Sequence, residues 1–439
     1  MEFCDGFGDH FRLQTRDVLR QSKQYLSGLM QARKKNMERM AEVVPESDEQ
    51  ALQHFLSNSN WDERRVLDQV ALDADALLGG TDESALLIDE SGITKKGTKS
   101  VGVARQWNGR LGKVDNCQVG VYAALSRGSL STLLDTRLYL PASWAKDKER
   151  CGAAGVPNRA RCVKSKPELA LEMVRHNRRL GVRFSWVGMD GLYGKDPALL
   201  RALEGDGETF MADVHKDQRI YVEDPRPCVP ASAPGRGRKR TRPVAQRDCV
   251  RVDEWTRAQP DAAWTRVTLR DSTKGKLQVE VLHQRVWLWD GKEDQARHWH
   301  LIVRREVKAR DEIKYSLSNA APDAPVQCLA QMQGQRYWVE RSFQDGKSQA
   351  GLDQYQARGW KAWHHHMALV MMAMLFMLKE RIAQQEDHPL LSCADIETLL
   401  AHFLPRRDVG VDEVIRQMEV RHHKRQASID SAYAKQQLE

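Results

Sequence analysis

The chain has 439 residues, a formal net charge of +8 and 41% hydrophobic residues. That length allows two to four domains with sizeable cores, and the basic balance favours a polyanionic partner. The eight cysteines are scattered with no C-x-x-C pair, which argues against a zinc ribbon. With no signal peptide the chain reads as cytoplasmic, with reduced thiols. The longest apolar run, residues 367–377, is too short to span a bilayer and is expected as a helix buried inside a domain.

Residues 1–82 are expected to form an all-helical domain. Residues 11–30 have helical spacing, and Arg12, Arg16 and Arg20 recur at four-residue intervals as a basic stripe. A second helix is expected over 49–56 and a third from Asn60, with Glu63 at the capping-box position. From residue 85 the pattern turns to strands, at 85–93, 101–107 and 117–125, with 136–140 extending the sheet. A helix over 167–179, a strand ending at Asp190, a helix over 197–203 and a strand over 209–214 follow. That order predicts a mixed α/β sheet, whose first part covers residues 83–215.

Residues 216–297 interrupt the alternation and read as a β-rich insertion, with short runs at 264–269, 277–282 and 286–289. The segment 225–243 is rich in Pro, Gly and Arg and is expected as a basic loop; it carries Arg238, Lys239, Arg240 and Arg242. The core resumes over residues 298–385, with a strand at 298–304 and helices at 326–349 and 360–383. Residues 386–439 form a helical tail containing the basic run 421–425.

Two apolar runs end on an acid: residues 86–89 end on Asp89 and residues 184–190 on Asp190. A carboxylate at the end of a buried strand is costly unless it binds a cation or a proton. Two of them can share a pair of divalent metal ions, a site suited to in-line displacement at a phosphodiester. Glu340, in the helical stretch 336–343, is the best candidate for a third ligand. The plainer alternative is that each Asp serves a turn; the order and context of the three acids favour the site.

Asp89 on the first strand, Asp190 on the fourth and Glu340 on a late helix resemble the ribonuclease-H-like arrangement of DDE transposases. The long gap before Glu340 resembles the β insertion of one branch of bacterial insertion-sequence transposases. That branch carries a tyrosine, arginine, glutamate, lysine signature on the late helix. Arg336, Glu340 and Lys347 fall at its spacing, while Gln333 stands at the tyrosine position. The stretch Lys95 to Gln106, the pair Gly112 and Lys113, residues 116–119 and 139–144, and Gly351, Leu352 and Asp353 with Trp360 and Trp363 resemble the family named for insertion sequence 701. The resemblance covers residues 10–385. Gly191 departs from it, since another acid is expected after Asp190.

The resemblance implies a transposase that binds transposon ends, cleaves DNA and joins the 3′-hydroxyl to target DNA. It implies two magnesium or manganese ions per active site, with Asp89 bridging them and Asp190 and Glu340 each holding one side; oxygen ligands suit such hard cations. The partners implied are double-stranded DNA, at terminal inverted repeats and target, and a second copy of the chain. No membrane and no small-molecule substrate are expected, and the setting is the bacterial cytoplasm at the nucleoid. Residues 1–82 would bind DNA. Arg336 and Lys347 share a helix face with Glu340 and would grip phosphates, and Lys95, Lys96 and Lys99 would reach the DNA backbone after the first strand. Trp287, Trp289 and Trp299 would offer an aromatic for a flipped base, against a competing role in sheet packing. His364, His365 and His366 point in different helical directions, which favours packing or backbone contact over one shared metal. Two other functions compete: a ribonuclease-H-like nuclease without strand transfer, and a domesticated transposase that only binds DNA. The N-terminal helices, insertion and basic tail weigh against the first, and the three acids against the second.

Overall fold

A computed structural model describes residues 2–14, 16–109, 111–230, 241–272, 275–307 and 309–436. The run Ala85 to Ile88 is fully buried, as a strand covered on both faces requires. It opens β1, Ala85–Thr94. The strands that follow are β2 Ala104–Asn108, β3 Lys113–Arg127, β4 Leu130–Leu138, β5 Trp186–Met189, β6 Phe210–Val214, β7 Arg219–Ile220, β8 Val250–Arg251, β9 Thr265–Ser272, β10 Gly275–Leu288, β11 Arg297–Glu306 and β12 Ile313–Ser318. Among the described residues ten of these form one sheet, in the order β2-β3-β1-β5-β6-β12-β11-β10-β9 with β4 also on β3; β7 and β8 pair apart.

The sheet is mixed, as expected. β3 is antiparallel to β1 and to β4, whereas β5 is parallel to β1 and β6 to β5. Each parallel step needs a crossover. Helix Lys166–Leu180 supplies the one before β5, opened by a Ser165–Glu168 capping box and closed by Gly181 at φ +97°, a left-handed conformation that suits glycine. Helix Pro197–Gly205 supplies the next. Leaving aside the short β2, Asp190 follows the fourth strand of a ribonuclease-H-like order. Beyond β6 the sheet continues antiparallel through β12, β11, β10 and β9, so β9 and β10 of the β-rich segment extend the same sheet, while its β7 and β8 pair apart.

The chain divides into two compact units, one of Met1–Glu63, Gly346–Ala357 and Lys361–Glu439, the other of Arg64–Asp345 and Arg358–Trp360. The first is helical. Its core contains Phe11, Tyr25, Leu29, Leu52 and Phe55 and the run 367–375 of helix Trp360–Ala383, which is buried on all sides, as an apolar-all-round helix should be. The adjacent histidines make packing and backbone contacts. The His365 ring stacks on Trp61 at 3.8 Å and faces the carbonyls of Leu56 and Trp61 at 2.8 and 3.1 Å. Burial pushes it down to about 4, against two acceptors that favour the charged ring. His366 meets the Tyr25 hydroxyl at 2.9 Å and the Gly351 carbonyl at 3.1 Å. No helix among the described residues is long and apolar enough to cross a membrane.

Several expectations need correction. The basic stripe is not helical: the helix spans Leu19–Gln31, leaving Arg12 and Arg16 before it. The Asp17 carboxylate accepts from the Leu19 N–H at 2.8 Å, a start signal inside the apparent periodicity. Arg12 pairs with Asp9 at 3.2 Å and Arg20 with Glu46 at 2.7 Å. The third helix starts at Glu63, not Asn60. The stretch 326–349 breaks at Arg336 into helices Val326–Gln335 and Tyr337–Ser348. The runs 277–282 and 286–289 merge into β10, and β12 was not anticipated. Arg238, Lys239 and Arg240 lie outside the described residues; Arg242 is exposed.

Asp135 on β4 is fully buried, held by Arg64 at 2.6 Å, Arg137 at 2.5 Å and the Asn177 amide at 3.2 Å. Burial opposes its charge, but Arg137 and Arg64 overcome it and hold the carboxyl down to about 2. The stabilisation is therefore present above the ordinary carboxylate range and lost as pH falls toward 2. Asp135→Asn should cost about 3–5 kcal/mol by removing the carboxylate that pairs with Arg137 and with Arg64, which keeps only Asp68 as an ion-pair partner, measured by urea denaturation at neutral pH. A loss under about 1 kcal/mol, the scale of an exposed pair, would contradict the assignment.

Candidate active site

Ile88 on β1 is in register with Met189 on β5, and Met189 with Ala212 on β6. The next residue on each is an acid: Asp89, Asp190 and Asp213. In-register neighbours share a face, and neighbouring strands lie about 4.8 Å apart, so three carboxylates stand in a row across the sheet, at the level where β5 ends; Asp89 itself is in the middle of β1. Asp190 also opens the short helix Gly191–Gly194, accepting from the Leu192 N–H at 2.9 Å. Ser316 on β12 pairs with Asp213 and continues the row on the same face.

Helix Tyr337–Ser348 lies over this end of the sheet. Its Val339 and Phe343 are buried. Phe343 meets Tyr122 edge-on at 5.3 Å, and Tyr122 is opposite Asp89 on β3. The Ser342 hydroxyl reaches that of Ser131 at 2.8 Å. These contacts place Glu340, in the first turn, near the strand ends, with 52% of its side chain exposed. Arg336, at the break before the helix, is only 15% exposed and joins three acids. Its Nε is 2.9 Å from Asp213 Oδ2, its Nη2 2.9 Å from Glu340 Oε1 and its Nη1 3.5 Å from Asp89 Oδ2. The other Asp213 oxygen accepts from the Ser316 hydroxyl at 2.6 Å, and Ser316 accepts from Gln333 Nε2 at 2.7 Å. Gln333, at the signature tyrosine position, thus begins a buried hydrogen-bond chain that ends on Arg336. Sequence reasoning passed over Asp213 and Ser316. The signal for Asp213 was the apolar run Phe210 to Val214 with one acid inside it.

Burial, and then the charge of Asp190, pushes the Asp89 carboxyl up to about 7, with Arg336 pulling the other way. Burial also raises Asp190 against the same arginine. Burial opposes the Arg336 charge too, yet Asp213, Asp89 and Glu340 together hold it above the ordinary guanidinium value. Two largely buried acids on adjacent strands, both held up by desolvation against the pull of Arg336, suit a hard divalent cation, which takes oxygen ligands. Asp89 and Asp190 fit that role. Glu340 is engaged by Arg336, and no group of three His, Cys, Asp or Glu side chains among the described residues surrounds one point closely enough to hold a metal.

The other expected residues are dispersed. Lys347 is in the last turn of the Glu340 helix. Lys95 is half-buried after β1, and Lys96 and Lys99 are exposed. Trp287 stacks on His298 at 4.3 Å, and Trp289 donates to the Glu293 carbonyl at 2.8 Å. Trp299 is buried edge-on against Phe210 and donates to Glu204 at 2.7 Å. Trp289 and Trp299 line a cavity of about 140 Å³ with Arg201, and none of the four acids borders it.

Residues 2–276 match the family described as DDE superfamily endonuclease. That span holds Asp89, Asp190 and Asp213 and ends before Arg336 and Glu340. A protein of Microchaete diplosiphon named as a probable transposase for insertion sequence element IS701 is 24% identical over 326 residues, covering 74% of this chain and 73% of its own length. With well over half of its length matched, the chain belongs to the DDE superfamily endonuclease family.

Proposed function

We propose that the chain is the transposase of a bacterial insertion sequence, cutting DNA at the element's ends and joining the 3′-hydroxyl to target DNA. The observation that carries this reading is the row of Asp89 and Asp190, in register from adjacent parallel strands, with Glu340 one arginine away, in a chain of an endonuclease family whose relative is named as a transposase. Double-stranded DNA is the substrate, and two copies of the chain serve the two ends. Recognition of the ends falls to residues 1–82, with the exposed Arg12, Arg16 and Arg20 among its contacts. Lys95, Lys96, Lys99 and Lys347, and the basic segment with Arg238, Lys239, Arg240 and Arg242, meet the DNA backbone.

Asp89 and Asp190 would hold magnesium or manganese from the sheet, and Glu340 would complete the set from the helix. Two such ions would activate the attacking water or 3′-hydroxyl and stabilise the leaving oxygen. Arg336 neutralises the acids until then. Once a cation shares their charge, the guanidinium can turn to a phosphate oxygen, for which its planar fork is suited. Asp213, fixed by Ser316, keeps it beside the reacting phosphodiester. No nucleophilic side chain is needed.

Asp89→Asn, Asp190→Asn and Glu340→Gln should each lower magnesium-dependent cleavage of labelled end DNA by roughly 10³-fold, since each removes several kcal/mol of charge stabilisation. End binding, read by gel shift, should stay close to wild type. Near-normal cleavage in any one variant removes that acid from the site.

Metal binding must also displace the proton that burial and Asp190 keep on Asp89 up to about 7. Calorimetric titration with manganese should show affinity rising with pH toward that value and levelling off above it, with the rise flattened in Asp89→Asn. Affinity independent of pH across this range would contradict the assignment.

A further inference from the structure

The row of acids and Ser316 continues across the sheet. Ser316 on β12 is opposite Ile302 on β11, and two residues further along each strand Lys314 is opposite Arg304. Side chains two apart share a face, so Arg304 stands on the face that carries Asp89, Asp190 and Asp213. It is 9% exposed. Unlike Arg336, its guanidinium has no ion pair and no side-chain hydrogen bond among the described residues. Burial depresses its charged form, against the more distant attraction of Glu306 and Asp213.

Arg304 borders a cavity of about 500 Å³ that reaches the acid cluster and is also lined by Asp213, Lys314, Arg336, Trp338 and Glu340. Gly334, two residues before Arg336, lies against it; a Cβ there would come to 3.5 Å from Arg304 Nη1. Two of the lining acids, Asp213 and Glu340, are already taken by Arg336. A guanidinium drawn out of water without a close partner is costly. An arginine in that state, open to a cavity next to a phosphodiester-cutting site, is matched by an incoming oxyanion that offers two acceptors to its fork.

We propose that Arg304 binds a backbone phosphate of the DNA strand lying in this cavity, beside the phosphodiester that is cut. The proposal rests on the reading of the chain as a DNA-cutting enzyme. Arg304 is a binding residue here, supplying register for the strand through one phosphate and no base contact.

The test compares full-length wild type, Arg304→Gln and Arg304→Lys. Without DNA, Arg304→Gln should melt no lower than wild type, because it removes a buried charge that has no close partner. On an end duplex titrated at several salt concentrations, Arg304→Gln should bind several-fold more weakly. Its log–log salt slope should be smaller by about 0.9, the loss of one phosphate contact. Arg304→Lys should keep the slope and lose part of the affinity, since a point charge replaces the fork. A lower melting temperature for Arg304→Gln, restored by Arg304→Lys, would assign the residue to the fold and overturn the proposal. So would an unchanged affinity and slope in Arg304→Gln beside a wild type that binds and cuts DNA. A wild type that binds no DNA would overturn the functional reading itself, and this proposal with it.

Discussion

Carboxylates side by side on adjacent parallel strands cannot move apart, because the strand register that sets their spacing also holds the core of the sheet. At a spacing of about 4.8 Å, and an effective dielectric near 20, two such charges repel by a few kcal/mol. The structure answers this in two ways. Asp89 keeps a proton up to about 7, and Arg336 reaches Asp89, Asp213 and Glu340 with a single guanidinium. The arginine ties the late helix to the strand ends, so the position of Glu340 depends on the same charge balance as the strands.

Arg336 is fixed from behind. Its Nε rests on Asp213, Asp213 on Ser316, and Ser316 on Gln333. Gln333 and Arg336 lie one turn apart, at the end of one helix and at the break before the next, so the chain of hydrogen bonds leaves the helix, crosses two strands and returns. A buried network of this kind holds one geometry because each missing link would leave a polar group unsatisfied. The strands beyond β6 are part of the same device. β12 supplies Ser316, and β11 brings Arg304 to the same face. Through β10, which pairs with β11, the segment that interrupts the α/β alternation joins the sheet that carries the acids.

Asp89 and Asp190 were legible in the sequence because each closes an apolar run, and a charge in that place needs a reason. Glu340 was legible through the resemblance and the spacing of the late helix. Asp213 had only a weak local signal, one acid inside the apolar run 210–214, since its importance comes from register with β5 and, through β5, with β1, pairings that no local pattern encodes. The spacing of Arg336 and Glu340 correctly implied a shared face, while the partners of that arginine, acids from distant strands, did not follow from it. The stripe of Arg12, Arg16 and Arg20 had helical period throughout, but only Arg20 has helical backbone, because Asp17 marks a start at Leu19 that periodicity alone does not reveal. β12 escaped notice because its inward positions include Ser316 and Ser318, both buried, so the alternation that marks a half-buried strand is muted.

When a divalent cation arrives, the acids and Arg336 should exchange partners. A crystal structure of the protein with manganese and a duplex of its element end, with anomalous scattering used to place the metal, tests this most directly. Manganese should lie against Asp89 and Asp190, with Glu340 turned toward it and the Arg336 guanidinium moved from Glu340 to a phosphate oxygen while still resting on Asp213. Manganese bound away from Asp89 and Asp190, or Arg336 still paired with Glu340 beside bound metal and DNA, would contradict it.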